Sequence, residues 1–376
     1  MERRSGFWRL SAVYAAYFLA IGILLPFWPL WLDARGLDPA QIGLVLAAAF
    51  WIKVAAEPVM ARLVDRTGRT RLPTALLGIL AAAGYLALTG VHGFWPILVT
   101  SAAIAACMHP ILPVMESVAL SHAARSGYDY GRMRLWGSVS FICATMGVGG
   151  ILGIWQAESV VWMMAVASGL VALGCWCAPE RVRSPGIARP GRREWVRLAR
   201  RLAVLVLVAG LIQASHTVLY GFASLHWRSI GISEFTIGLF WTAGVLAEIV
   251  LFAVMGRLRL GAHHLLALAA LAGVIRWPLL ALADTVAVIL AAQLLHAATF
   301  AAAHLGAMIF LTRVVPPERA ATGQALYYAL VGGAIGGCMM PVAGMLFDRF
   351  GADAFWVMAV LCVAALPASA LLRQRN

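Results

Sequence analysis

Charged residues are scarce in this sequence. They make up 12% of its 376 residues, against roughly 25% in an average soluble domain, whereas hydrophobic residues make up 62%. A soluble globule could not hide that much apolar surface. The six cysteines have neither zinc-binding nor redox spacing, and phosphate-cradling glycine loops, nucleophile elbows and zinc-binding His-Glu helices are all missing. The sequence therefore argues against an enzyme and predicts no metal site and no cofactor.

What the sequence has instead is long hydrophobic runs. The first charge-free run extends from Leu10 to Leu32. It exceeds the roughly 7 to 15 residues of a signal-peptide core and can cross a hydrocarbon layer of about 30 Å. We therefore expect twelve transmembrane helices, the first at 10–32 and the others at 39–61, 72–91, 94–122, 135–157, 159–178, 202–227, 235–256, 262–283, 285–311, 320–347 and 354–372.

The positive charges predict the orientation of these helices. Lys and Arg are retained on the cytoplasmic side of a membrane. All but five of the 29 Lys and Arg residues fall in segments on one side of the twelve-helix arrangement, and the exceptions are Arg35, Arg228, Arg349, Lys53 and Arg276. Both termini are thus predicted to be cytoplasmic, in the inner membrane of a bacterium. The net charge of +13 reflects orientation, and no nucleic-acid partner is expected.

An internal repeat divides the chain into two halves. The hydrophilic stretch 180–201 separates six predicted helices (1–179) from six others (202–376), and it resembles a basic cytoplasmic linker. A shift of 195 residues places Ile42-Gly43-Leu44 over Ile237-Gly238-Leu239. Parallel six-helix repeats are typical of rocking-bundle transporters. The predicted fold is therefore an all-α integral membrane protein of two pseudo-symmetric six-helix bundles.

The segment after predicted helix 2 carries a motif. Its residues 61–69 read Ala-Arg-Leu-Val-Asp-Arg-Thr-Gly-Arg and resemble the G-x-x-x-D-R-x-G-R loop of the major facilitator superfamily, with Ala61 replacing the first glycine. In that family the loop latches the cytoplasmic ends of the helices, which implies a gate formed by Asp65, Arg66 and Arg69. The whole chain is similar to the phenylpropionate permease branch, a relative of lactose permease and of the nucleoside:proton symporters, in segments such as Leu25-Pro26-Phe27-Trp28 and Ile275-Arg276-Trp277.

Ionisable residues inside predicted helices need a partner or a wet cavity. Burying one at mid-bilayer costs about 2.5 to 3.5 kcal/mol even on lenient scales. Lys53, the only lysine, lies four residues before Glu57, so the two could simply neutralise each other on one helix face. Alternatively, Lys53 attracts an anionic substrate. Glu116 and Arg134 match the helix 4 glutamate and helix 5 arginine of lactose permease, which implies substrate ligands; a structural ion pair is the alternative.

The second half carries the candidates for proton coupling. Glu248, Arg276 and His296 match charged groups of the sugar and proton machinery of lactose permease, but Gln293 and Thr299 replace its lysine and its protonated glutamate. Because a glutamate facing an apolar cavity can change its protonation state in the physiological range, Glu248 is the first candidate. His296 and Glu57 are the next candidates.

Polar stripes mark two predicted helices. Helix 10 carries Gln293, His296 and His304 on one face, and helix 7 carries His216 and Tyr220. Each histidine could bind substrate or form an interhelical hydrogen bond. Trp136 could stack on a substrate ring, although packing is as good an explanation. The predicted substrate contacts are therefore Lys53, Glu116, Arg134, Trp136, His216, Tyr220, Arg276, Gln293, His296 and His304.

These observations predict a proton-coupled secondary transporter that works by alternating access. We expect a monomer in the lipid bilayer that imports a small organic acid together with protons; the resemblance alone implies aromatic carboxylates. A sugar or nucleoside proton symporter is the alternative. A proton-driven exporter is disfavoured because the glycine run of helix 5 lacks the proline that is usual in the exporter motif.

Overall fold

Helix is the regular structure throughout residues 2–181, 191–255, 260–316 and 319–373, which are those that the computed structural model describes. In hydrocarbon a backbone must satisfy its own N–H and C=O groups, and a helix does so within one segment. Eleven apolar segments are long enough to span a membrane. The longest, Thr322–Ala370, holds two helices separated by a turn at Gly351–Asp353, where Gly351 has a φ of 56°. The count agrees with the twelve predicted helices.

The helices are labelled α1 to α12 in chain order. Their bounds are Glu2–Ala34 (α1), Pro39–Thr67 (α2), Arg71–Ala87 (α3), Phe94–Met108 continued by Ile111–Ser126 (α4), Tyr130–Leu152 (α5), Ser159–Cys177 (α6), Arg192–Ala214 continued by Thr217–Ser229 (α7), Glu234–Met255 (α8), Ala262–Ala281 (α9), Val286–Leu294 continued by Ala297–Ala302 and Ala303–Val314 (α10), Ala320–Tyr327 continued by Tyr328–Ile335 and Gly336–Phe350 (α11), and Ala354–Ala370 (α12).

Helix α2 is longer than predicted. It begins with a capping box, in which Asp38 accepts a hydrogen bond from the backbone N–H of Gln41, and it ends at Gly68, whose φ of 68° suits a left-handed cap. The motif residues Asp65 and Arg66 therefore lie in its last turn rather than in a loop. A hydrophobic window misses this turn because a helix satisfies its own backbone hydrogen bonds and can continue beyond the apolar layer.

The chain forms two compact units. Unit 1 comprises Met1–Ser184 and Trp227–Leu239, and unit 2 comprises Pro185–His226 and Phe240–Asn376. Of the predicted linker 180–201, residues 182–190 lie outside the described residues. Its last part is helical, because α7 already begins at Arg192. Arginines are good helix formers, so this basic stretch extends the helix.

Small residues allow close helix packing in unit 1. There α1 packs against α5 and α6, and α3 packs against α6. A Cβ atom at Gly78 of α3 would lie 2.9 Å from the Cα atom of Ala172 of α6, and one at Gly22 of α1 would lie 2.8 Å from the carbonyl oxygen of Phe141 of α5. Only glycine fits at such crossings, as is common between membrane helices.

Unit 2 is organised around α9, which packs against α12 and α10. The rings of Trp277 and Phe355 stack with centroids 6.0 Å apart. The indole of Trp277 also donates a hydrogen bond to Ser215 Oγ at 3.1 Å. Ser215 lies where α7 is interrupted, and α10 and α11 each contain a π-helical stretch, Ala297–Ala302 and Tyr328–Ile335. Such stretches are rare and frequent at functional sites.

Large apolar side chains are exposed in both units. Trp95 is 71% exposed, Val250 62% and Val360 64%. Water would make such a surface unfavourable, whereas lipid tails match it. The exposed side chains are therefore those expected of a multi-pass membrane protein.

Candidate functional site

A buried arginine forms the centre of a polar cluster in unit 2. Arg276 of α9 has no exposed surface. Its Nε donates to the carbonyl oxygen of Ala292 at 2.9 Å, and its Nη2 donates to Gln293 Oε1 at 2.6 Å. Its Nη1 lies 2.8 Å from both His296 Nδ1 and Thr299 Oγ1. Arg276 thus meets four acceptors on α10, three of them spaced along the turn that enters the π-helical stretch.

Glu248 of α8 joins the cluster through histidine. Its Oε1 lies 2.9 Å from His296 Nε2, and its side chain is 16% exposed. Arg276 lies within electrostatic range of Glu248 but makes no direct ion pair with it among the described residues. The imidazole therefore separates a buried guanidinium from the carboxyl group.

Stacked rings surround the histidines. The ring of His216 stacks on Tyr220 with centroids 5.7 Å apart, and Tyr220 stacks on Trp241 at 6.0 Å. His296 stacks on Phe300 at 5.3 Å with nearly parallel planes. The polar stripes predicted on helices 7 and 10 therefore come together in unit 2, with aromatic faces beside them.

His304 lies further along α10. Its ring stacks on Tyr328 at 6.3 Å, in the π-helical stretch of α11, and meets Phe252 of α8 edge-on at 6.4 Å. It is also within electrostatic range of Glu248. His304 thus lies at the margin of the unit 2 cluster, with aromatic neighbours.

Unit 1 holds a second polar cluster. Arg134 Nη1 donates to Glu116 Oε1 at 2.7 Å, and the hydroxyl of Tyr130 donates to the same oxygen at 3.2 Å. The guanidinium also lies over the ring of Phe18, 5.2 Å from the ring centroid, in a cation–π contact. Both charged side chains are partly exposed, at 44% for Arg134 and 33% for Glu116. This pair can therefore still meet a solute.

Lys53 and Glu57 lie half-buried on α2 of unit 1. Among the described residues they form no ion pair with each other, although each lies within electrostatic range of the other. Glu57 is also in range of Glu116, and Lys53 of His109. The two side chains thus contribute to the field of the unit 1 cluster without neutralising each other in direct contact.

Trp136 lies in different surroundings. It is 43% exposed and packs edge-on against Trp8 of α1, with centroids 5.7 Å apart. Tryptophans commonly occupy the level of the lipid headgroups. The contact with Trp8, near the start of α1, favours packing for Trp136 over the substrate role that its sequence position suggested.

The end of α2 and the start of α3 form a charged surface in unit 1. Asp65 Oδ1 lies 3.1 Å from Arg181 Nη1. Arg66 and Arg69 are exposed, and within the described ranges neither forms an ion pair. Of the three predicted gate residues, only Asp65 has a charged partner in the part of the chain that the structure describes, and that partner lies just beyond α6.

Glu180 is a residue that the sequence reasoning missed. Its Oε2 accepts hydrogen bonds from the backbone N–H of Thr70 at 2.7 Å, from the Thr70 hydroxyl at 2.6 Å and from the N–H of Arg71 at 3.4 Å. Partial burial raises the pKa of Glu180, but these bonds outweigh it, so that the pKa lies below its ordinary value. Glu180 caps α3 from a distant part of the sequence, beyond α6, and no local pattern announces such a cap.

One apolar cavity of about 520 Å³ lies between α8 and α10 in unit 2. Carbon-rich side chains line it, namely Leu246, Ala247, Val250, Leu251, Val254, Leu294 and Ala297. Glu248 is not among them. Without a polar group it offers nothing to orient a charged solute, so we do not place the functional site there.

Comparison with known proteins places the chain in a family. The model of the MFS_1 like family matches residues 7–358. The chain belongs to this family. A Probable 3-phenylpropionic acid transporter of Escherichia coli is 30% identical over 366 residues, which cover 95% of both chains. A maltose permease of Geobacillus stearothermophilus is 28% identical, over 93% of this chain and 90% of the permease.

Solved structures agree on the fold of this MFS_1 like protein. The crystal structure of the nucleoside transporter NupG superimposes with a TM-score of 0.81, at 15% identity, covering 98% of each chain. At that identity the likeness concerns the fold alone. Family and relatives together identify a membrane transporter of the major facilitator type that moves a small molecule and is not an enzyme.

Proposed function

We propose that the chain is a proton-coupled symporter that takes up a small organic acid by alternating access, with an aromatic carboxylate as its substrate. The observation that carries the proposal is the buried contact between Glu248 and His296, next to Arg276. A carboxyl group in such a place can exist with or without its proton, because the nearby guanidinium stabilises the anion while burial favours the neutral acid.

The charge balance of the unit 2 cluster favours an anionic substrate. Arg276 contributes one positive charge and ionised Glu248 one negative charge. When Glu248 takes up a proton, a positive charge is left in surroundings of low dielectric, where it attracts an anion strongly. Proton uptake and anion uptake thereby support each other, which is what a symporter requires.

The ring faces beside the cluster favour an aromatic substrate. Tyr220, Trp241 and Phe300 lie in stacks with the two histidines, and flat apolar faces of this kind pack well against another ring. The printed name of the Escherichia coli relative, which refers to 3-phenylpropionic acid, agrees with this chemistry.

Uptake by proteoliposomes tests the coupling. With an inward proton gradient, we expect the parent protein to accumulate 3-phenylpropionate. Glu248→Gln should retain exchange of substrate across the membrane but lose accumulation, because the amide cannot carry a proton. Glu57→Gln is the matched control in unit 1 and should still accumulate. Accumulation by Glu248→Gln would show that the proton is carried elsewhere, with Glu57 next to test.

Matched acid and amide ligands test the charge selectivity. Lys53 contributes an ammonium that no direct ion pair among the described residues neutralises, so Lys53→Gln should weaken the binding of 3-phenylpropionate far more than that of 3-phenylpropionamide. Isothermal titration calorimetry on parent and variant measures both affinities. Equal losses for the two ligands would contradict an organic anion as the substrate.

A sugar or nucleoside symporter is the second candidate. The pair Glu116 and Arg134, with Tyr130 on the same carboxylate oxygen, can bind hydroxyl groups as well as a carboxylate. The maltose permease and NupG are named for such substrates. Thermal-shift screening with maltose, nucleosides and aromatic acids separates the candidates, since a bound ligand stabilises the folded protein.

We further propose a monomer in a bacterial inner membrane, with domain limits at 1–179 and 202–376 and both termini in the cytoplasm. The distribution of arginines supports this orientation. Reporters fused after Asn376 and inserted at Pro190 should both report a cytoplasmic location. A periplasmic signal from either would contradict the proposed topology.

A further inference from the structure

The guanidinium of Arg276 is committed within its own unit. A guanidinium has five N–H donors, and four of those of Arg276 meet acceptors on α10. All four acceptors are uncharged. Binding a substrate carboxylate through two parallel hydrogen bonds would require breaking at least part of this set in a site without solvent access. The arrangement is thus that of a group that orders its neighbours.

The first neighbour that Arg276 orders is His296. Nη1 of the guanidinium can only donate, so His296 Nδ1, at 2.8 Å, must accept with its lone pair. In the neutral imidazole the proton then sits on Nε2. That nitrogen faces Glu248 Oε1 at 2.9 Å and donates to it. Protonating Nδ1 would replace this hydrogen bond with a second positive charge against the guanidinium.

The second neighbour is His216, which has the opposite tautomer. Its Nδ1 lies 2.8 Å from the carbonyl oxygen of Ile212, which can only accept, so Nδ1 carries the proton. Its Nε2 is left to accept from the Thr299 hydroxyl at 3.1 Å. The Thr299 oxygen in turn accepts from Arg276, and the hydroxyl has the carbonyl oxygen of His296, at 3.2 Å, as its other acceptor.

Gln293 is oriented in the same way. Its Oε1 accepts from Arg276 Nη2 at 2.6 Å, which excludes the flipped amide because Nε2 would then face a donor. The side chain is almost fully buried, and its Nε2 has no partner among the described residues. One guanidinium therefore fixes an amide, a hydroxyl and two imidazoles.

We infer that Arg276 is a positioning residue that holds His296 as the Nε2–H tautomer and His216 as the Nδ1–H tautomer, so that the carboxyl group of Glu248 carries the coupling proton. The role assigned to Glu248 rests on the proposed function, whereas the two tautomers do not. The other titratable groups around the carboxyl are Tyr220 of α7 and His304 of α10, both within electrostatic range. Neither touches the Arg276 hydrogen bonds that fix the tautomers.

Nitrogen NMR tests the tautomers without any ligand. The full-length protein is labelled with ¹⁵N-histidine in lipid bilayers, and the signals of two of its nine histidines are assigned by His296→Asn and His216→Asn. Between pH 5.5 and 8 we expect His296 to show a protonated Nε2 and an unprotonated Nδ1, and His216 to show the reverse. An imidazolium, or the Nδ1–H tautomer, at His296 in this range would overturn the inference.

Two variants test the part played by Arg276. Thr299→Val removes the link to His216 only, so the His216 Nε2 signal should move while His296 stays as in the parent. Arg276→Met removes every donor, and His296 should then mix tautomers or become an imidazolium as the pH falls. An unchanged His296 in folded Arg276→Met would overturn the inference. If this variant does not fold, the parent spectrum and Thr299→Val still decide.

Transport measurements separate this inference from the proposed function. If the two tautomers are found but a proton gradient does not drive uptake, the proposed coupling fails and the positioning role stands. If uptake is proton-driven and His296 becomes an imidazolium over the same pH range, the coupling stands and the inference fails. When both hold, the pH profile of uptake should lose its ionisable group in Glu248→Gln and keep it in Thr299→Val.

Discussion

The cap that Glu180 places on α3 leads to a quantitative prediction. A side-chain cap contributes about 0.5 to 2 kcal/mol, and a carboxylate at a helix N-terminus adds roughly 0.3 to 1 kcal/mol. Thr70 makes no side-chain cap of its own, so α3 depends on Glu180. Because the carboxylate is largely exposed, we take the lower part of these ranges. Glu180→Ala should therefore cost about 1 kcal/mol, and Glu180→Gln about half of that.

Thermal unfolding followed by tryptophan fluorescence measures this cost, since the chain has 14 tryptophans. For a protein of this size about 1 kcal/mol corresponds to a Tm change of roughly 1 to 2 °C, by extension from smaller domains. Glu158→Gln is the matched control, because Glu158 occupies the N-cap position of α6 without making a side-chain cap bond. The control should leave Tm unchanged.

The pH dependence has a definite sign. The hydrogen bonds from Thr70 and Arg71 keep the pKa of Glu180 below its ordinary value in the folded protein. Its contribution to stability is therefore complete above the unfolded pKa of about 4.3 and is lost as the pH falls through the lower, folded value. The Tm gap between parent and Glu180→Gln should be constant from pH 6 to 8 and shrink below about pH 4. A gap that persists in acid, or an equal loss in Glu158→Gln, would refute the cap.

Two further predictions concern unit 1. Gly78→Val should destabilise the protein by about 1 to 3 kcal/mol, since its side chain would collide with α6, whereas Gly169→Ala, with no atom within 4 Å of the added carbon, should leave Tm unchanged. The ion pair between Asp65 and Arg181 is partly exposed, so a double-mutant cycle with Asn and Gln should give a coupling energy of only about 0.2 to 1 kcal/mol. A coupling well above this range would mean that the pair has further partners.

Helix number and type could be predicted from the sequence because hydrocarbon leaves few alternatives. Each run such as 10–32 had to form a helix to satisfy its backbone. The ends were less predictable, since α1 begins at Glu2 and α7 at Arg192, well before the apolar windows. Hydropathy detects where lipid begins, whereas a helix continues into water as far as its residues favour it.

The site was predictable in its members but not in its contacts. The polar stripes of helices 7 and 10 correctly indicated side chains that come together, such as His216 and His296, whose rings lie 5.6 Å apart. The four-residue spacing of Lys53 and Glu57 suggested an ion pair that the described residues do not show. Spacing along one helix gives a shared face only, while rotamers and neighbouring helices decide which atoms meet.

The π-helical stretch of α10 makes the chain sensitive to length at this place. A π-helical turn holds one residue more than an α-helical turn, so the hydrogen bonds of Ala297–Ala302 run from residue i to residue i+5. Deleting a single alanine there would let the helix relax to ordinary α geometry. Every later residue, His304 included, would then rotate by about 100° relative to His296. Relatives that lack this extra residue must present a different face of the same helix, even where the surrounding letters align.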